Sequence, residues 1–337
     1  MKKKKSKKII LIICIILSVV ILISVAMVSI SSKVTALVTK QMFEKQILTK
    51  PINYDEYIEK VKSFKDLSYE SKYKNNNYDV YMPKDINEKL YPAIIWIHGG
   101  AYVEGDKKYT ETFSTMLASY GFIVLSINYE LVPEAKYPTP IKQVEEFYNH
   151  IINVKSEYSI DETKLFFAGD SAGAQIASQF IAVQTNKELA KNMEIQQTVP
   201  LNSIKGTLLY CGPYDVNLLG NSEGNYLFKF LLNQSTWNYI GGRNLKNSQE
   251  AREFSVVDNI TEDFPPSFIT DGNTNSFENH AKELIKTLKE KNVEVEELLF
   301  SKDQYITEHD YQFILNTEAA NIAFNNTINF LKQHIND

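Results

Sequence analysis

Cysteine is nearly missing from this chain: Cys14 and Cys211 are the two in 337 residues. Cys14 lies inside a long apolar run and Cys211 ends a short one, so no disulfide framework holds the fold. The five histidines, at 98, 150, 280, 309 and 334, form no Cys/His cluster with metal-ligand spacing, which excludes a structural metal module. Acidic residues are absent from the first 33 positions. That segment holds seven of the 36 basic residues, so the remainder carries 29 basic against 41 acidic, a net of −12. An acidic body of this kind excludes nucleic acid as the expected partner. No internal repeat is present, and the opening lysine tract is the only low-complexity segment.

What the chain does have is apolar residues, 44% of the total, enough for one large core. Its N-terminus sets Lys2, Lys3, Lys4, Lys5, Lys7 and Lys8 ahead of a run from Ile9 to Ile30 without a charge. About twenty such residues cross a bilayer as a helix, and flanking lysines stay cytoplasmic. The run is longer than a signal-peptide core and no clear Ala-x-Ala site follows, so an uncleaved anchor is expected rather than a cleaved signal peptide. The expected organisation is a basic cytoplasmic tail (1–8), a transmembrane signal anchor (9–32), a stalk with a possible cap helix (33–64), and a catalytic body (65–337). A body outside the cell without disulfides suits a bacterial surface.

Within that body, continuous apolar runs at Tyr91–Ile97 and Phe122–Ile127 read as strands buried on both faces, with helical patterns between them. Later strands are expected at 206–210, 267–270 and 293–300. Alternation from Tyr69 to Tyr81 around Asn75-Asn76-Asn77 predicts an antiparallel hairpin. Residues 216–260, rich in Asn, Tyr and Leu, interrupt the alternation as a cap-like insertion.

The body is organised around Gly169-Asp170-Ser171-Ala172-Gly173. The apolar run Leu165–Ala168 precedes it, and Ala172, Ile176, Phe180 and Val183 follow at helical spacing. A strand-to-helix turn of this kind lifts a nucleophilic serine, Ser171, above the sheet edge. The amide of Ala172, next to it, is expected to hold an oxyanion together with Gly99 and Gly100 of His98-Gly99-Gly100-Ala101, with Ala101 a further candidate. His309, after the last strand and before a closing helix, is the expected base. His98 belongs to the glycine turn, His150 and His280 sit in helical patterns, and His334 lies near the chain end.

These pieces resemble an α/β-hydrolase of the hormone-sensitive-lipase-like carboxylesterase group. The similarity rests on His98–Tyr102, Asn128-Tyr129-Glu130-Leu131-Val132-Pro133-Glu134, Gly169–Gly173 and His309, and spans roughly residues 65–335. It implies a mostly parallel central sheet with helices on both faces. It also implies ester hydrolysis through an acyl-enzyme, with no metal or organic cofactor, on a small-molecule or acylated-polymer substrate. A peptidase or deacetylase on the same scaffold, or a non-catalytic binding protein, are the competing readings. In such esterases the triad acid follows a glycine in a Gly-x-x-Asp pattern, and here Gly272-Asn273-Thr274-Asn275 puts an asparagine in that place. Asp271 is the expected substitute. Glu278 is the alternative, with a competing role in an Asn-x-x-Glu capping box.

Overall fold

The computed structural model describes residues 2–43, 49–87, 89–219, 226–242 and 248–335. Parts of the expected stalk (44–48) and of the expected insertion (220–225 and 243–247) lie outside the described residues.

Helix α1 (Lys2–Ile30) takes in the lysine tract and the apolar run together, so the expected boundary between tail and span at residue 8 is not a structural one. Its segment Lys7–Met27 is long and apolar enough to cross a membrane and buries nothing against the rest of the protein. Helix α2 (Ser32–Phe43) follows almost without a break, and α3 is a single short turn at Tyr54–Ile58.

The sheet has eight strands in the order β1-β2-β4-β3-β5-β6-β7-β8. Strands β1 (Val61–Ser68) and β2 (Asn77–Pro83) form the hairpin, with Ser68 opposite Asn77. The Asn-rich stretch is therefore the connection, and the first strand precedes Tyr69 instead of starting there. Val61–Phe64, expected in the stalk, belong to the sheet. The reason is physical: β1 is an edge strand whose residues 62–66 are all exposed, so it carries charge in place of apolar alternation.

Strand β2 pairs antiparallel with β4 (Ile123–Ile127). Every later pairing is parallel, through β3 (Tyr91–Ile97), β5 (Ile160–Asp170), β6 (Ile204–Tyr210), β7 (Ser267–Asp271) and β8 (Val295–Leu299). Alternate residues of these strands feed two cores, one on each face. Ile95, Ile97, Phe167, Leu209 and Ile269 join one, and Ile94, Trp96, Phe166, Leu208 and Phe268 the other. The first face packs under α5 (Thr139–Asn153), α6 (Ala172–Thr185) and α10 (Glu278–Glu290), and the second under α4 (Glu111–Ser119) and α11 (Glu318–His334). Helix α7 is the short Lys187–Met193. Burial on both faces explains why β3, most of β4 and the Leu165–Ala168 part of β5 read as apolar runs.

The interval 216–260 contributes α8 (Tyr226–Ile240) and α9 (Gln249–Phe254). Helix α8 packs against α2, where Thr39 and Ser235, both buried, bring their hydroxyls within 3.4 Å. From α8, Tyr239 stacks on Tyr102 with ring centroids 4.0 Å apart and planes 4° from parallel.

Candidate active site

Ser171 stands between β5 and α6 at φ 52°, ψ −121°, a strained conformation for a residue with a side chain. The strain is held from several sides. The Ser171 amide donates to the Tyr210 carbonyl of β6 at 2.8 Å. A side chain on Gly173 would run into the Ile97 carbonyl, and one on Gly169 into the backbone of Gly173. Every residue of α6 is buried, so the helix cannot slide away to relieve the turn. Its N-terminus lies at the serine, where unbonded amides favour negative charge.

Asp170, beside the serine, ties the elbow to the glycine turn. One oxygen accepts from Trp96 Nε1 at 2.9 Å and the other from the Gly99 amide at 2.8 Å. The Gly99 amide is thus committed, which corrects its expected place in the oxyanion hole: a buried carboxylate competes for that donor. Gly100 (φ 119°), Ala101 (φ 51°) and Tyr102 (φ 64°) then follow in the left-handed region and turn the backbone over. Among the described residues, the Gly100 and Ala101 amides have no acceptor within the protein. Gly100 and Ala101 therefore have amides free to face a ligand, and Ala172 heads α6 beside Ser171.

His309 Nε2 lies 2.9 Å from Ser171 Oγ. The other histidines are spoken for. His98 stacks on Tyr129 at 4.5 Å and donates from Nδ1 to the Gly99 carbonyl at 2.6 Å. His150 meets the Tyr78 hydroxyl at 3.1 Å, and His280 Nδ1 accepts from the Asp215 amide at 3.2 Å. His334, near the chain end, is buried in α11 and donates to the Phe330 carbonyl at 2.9 Å.

Behind His309, Nδ1 faces Ser276 Oγ at 2.9 Å, and the Ser276 hydroxyl donates to Asp271 Oδ1. The Phe277 amide reaches the same carboxylate oxygen at 3.3 Å. Asn275, at the family's acid position, is exposed with φ 49°. Glu278 lies in the first turn of α10 and pairs with Lys282 at 2.8 Å, away from the imidazole. No capping box forms either, because the helix starts at Glu278 with Phe277 before it. Asp310 Oδ2 approaches His309 Nε2 at 3.4 Å.

Asn273 fastens the two loops that carry these groups. Its side chain donates to the Phe300 and Tyr305 carbonyls at 3.0 and 2.7 Å and accepts from the Thr307 amide at 3.2 Å. Gly272 allows the Glu308 carbonyl to pass where a side chain would collide.

Burial sets the electrostatics. It depresses His309 to about 4, so the imidazole is neutral near pH 7. It raises Asp271 to about 8, and Asp170 and Asp310 to about 7 each. Ligand atoms of Cys211, Asp271 and His309 lie within 4.8 Å of one another. This set is the back of the imidazole, where Ser276 Oγ already joins two of the three.

Sequence reasoning missed Asp170, Ser276 and Asn273. Asp170 had a signal, a charge one residue beyond the apolar run Leu165–Ala168 and its glycine. Ser276 and Asn273 look like ordinary turn residues.

The family model BD-FAE matches residues 78–288. The chain is 32% identical to an acetyl esterase of Salmonella schwarzengrund over 99 residues, which are 29% of this chain and 30% of that one. It therefore spans about a third of the length of such curated relatives. Among solved structures, esterase B of Lactobacillus rhamnosis superimposes with a TM-score of 0.72 at 19% identity, covering 92% of this chain and 96% of that one. An esterase of Pyrobaculum calidifontis does so with a TM-score of 0.66 at 16% identity, covering 88% and 92%. Sheet order, strand-to-helix elbow and matched residues agree: the chain belongs to the BD-FAE family and has the α/β-hydrolase fold.

Proposed function

We propose that the protein is a serine hydrolase that cleaves carboxylic esters through an acyl-enzyme, with its body at the outer face of a membrane. The observation that carries this reading is the 2.9 Å contact between Ser171 Oγ and His309 Nε2, made by residues 138 apart in sequence. His309 takes the serine proton at Nε2 as Oγ bonds to the ester carbonyl carbon, and the C=O electron pair moves onto oxygen. That oxyanion lies against the amides of Gly100, Ala101 and Ala172. One preorganised donor of this kind contributes about 3–4 kcal/mol to the barrier reduction. Collapse restores C=O and breaks the ester C–O bond, and the leaving alkoxide takes the proton from His309. Water then attacks the acyl-enzyme with His309 again as base. The carboxylic acid leaves and Ser171 regains its proton.

A neutral imidazole is what a general base requires, and the depressed His309 pKa of about 4 supplies it. The acetyl esterase relatives support a short acyl group on a small-molecule or polymer-borne ester. The apolar α1 supports anchoring, with the lysines inside and the body outside. Ser171→Ala should lower turnover of 4-nitrophenyl acetate by about a millionfold, as when a triad serine is removed. A fluorophosphonate should label the native protein at Ser171 and leave the variant unlabelled. Retention of most activity by the variant would overturn the reading.

A further inference from the structure

We infer that Ser276 is the positioning residue for His309, and that Asp271 acts on the imidazole through the Ser276 hydroxyl. The inference rests on the reading of Ser171 as nucleophile and His309 as base. It names what takes over when the acid position of the family, Asn275, points into solvent.

The geometry gives the hydroxyl a fixed sense. Ser276 Oγ has one proton, and Asp271 Oδ1 accepts it. The same oxygen lies 2.9 Å from His309 Nδ1, so with Asp271 ionised it accepts there, and Nδ1 carries the ring proton. That leaves Nε2 with its lone pair toward Ser171 Oγ, at 2.9 Å, which is the tautomer the reaction needs. Ser276 is buried, and the amide next in the chain, Phe277, holds the same Asp271 oxygen at 3.3 Å. The carboxyl and the hydroxyl are thus set by one turn. When Ser171 gives up its proton, the imidazolium formed keeps Nδ1–H on Ser276. The hydroxyl, polarised by Asp271, transmits the stabilisation, and no proton need leave Nδ1.

Three variants and one spectrum test this. Ser276→Ala should lower kcat by about a hundredfold with little change in KM, a fraction of the roughly 10⁴-fold loss when a triad aspartate becomes asparagine in a serine protease. The ring ¹⁵N shifts of His309 should move from a pure Nδ1–H form to a tautomer mixture, in a variant whose melting curve shows it folded. Asp271→Asn should also be slow, and the double variant Asp271→Asn/Ser276→Ala no slower than the worse single one, because both changes cut one path. Asn275→Asp should leave kcat within about twofold, since the side chain faces water. A Ser276→Ala enzyme within about threefold of native, an unchanged tautomer, or losses that multiply in the double variant would each overturn the relay. Failure of the relay is distinct from failure of the esterase reading: Ser171→Ala would still abolish turnover in the first case and not in the second.

Discussion

Three carboxyl groups crowd the imidazole, and each is pushed above its ordinary 3.8 by burial: Asp271 to about 8, Asp170 and Asp310 to about 7. A carboxyl that binds its proton more tightly folded than unfolded withdraws stability as pH rises from about 4 to its folded value. The buried His98 and His309, both depressed to about 4 from 6.5, act the other way, adding stability between those values. Above 6.5 the carboxyls act alone, so Tm should fall between pH 6.5 and 8, and Asp271→Asn should flatten that fall while slowing turnover. Thermal melts of both proteins at the two pH values check it, and a steeper fall in the variant would contradict the assignment. In activity the sign is reversed. Turnover uses ionised Asp271, so kcat/KM should rise through about pH 8 in the native enzyme, and that limb should vanish from the pH profile of Asp271→Asn. At this scale the sequence was legible wherever chemistry forces a pattern. Ser171 needs glycines around it and His309 must follow the last strand. Ser276 was not legible, because a hydroxyl in a turn has no signature until its neighbours are seen. Asn275 misled because an exposed position and a buried one look alike in a four-residue pattern.

The elements that hold the site differ in how they are fixed. Helix α6 is buried throughout, whereas the His309 loop depends on hydrogen bonds, chiefly those of Asn273. Asn273→Ala leaves two carbonyls and one amide without their partner and should cost about 1–3 kcal/mol of stability. It should also reduce kcat, by loosening His309 more than Ser171. Urea melts and steady-state kinetics measure the two effects, and a variant with native kcat would show that the loop is held by other contacts. Glu278 makes the opposite case. Its ion pair with Lys282 spans one helical turn at the surface, so Glu278→Gln should cost under about 0.5 kcal/mol and leave turnover unchanged. The central strand β3 and the second half of β5 were readable as apolar runs because both their faces are covered. Strand β1 was not, because its exposure removes the pattern and its pairing with β2 is set by partners 9 to 22 residues away.

Over the whole molecule, the fold class followed from strand–helix alternation, while the place of the N-terminal segment did not. A basic tract and an apolar run are compatible with an anchor or a signal sequence, and they say nothing of what the next helix touches. If the body lies outside, protease added to intact cells should remove residues beyond the span and spare the N-terminus, and an intact chain in the soluble fraction would contradict it. The contact of α2 with α8 decides where this protein can be cut. Ala36 and Thr39 are buried, and α8 carries the Tyr239 ring that stacks on Tyr102, two residues beyond Gly100. Shortening the chain to begin at residue 31 removes the lysine tract and the apolar run of α1 and should yield a water-soluble protein with native kcat. Beginning at residue 49 also strips α2 from α8, and should lower Tm and kcat together. Those two outcomes would place the boundary of the folded body between α1 and α2, with α2 a part of that body through its contact with α8.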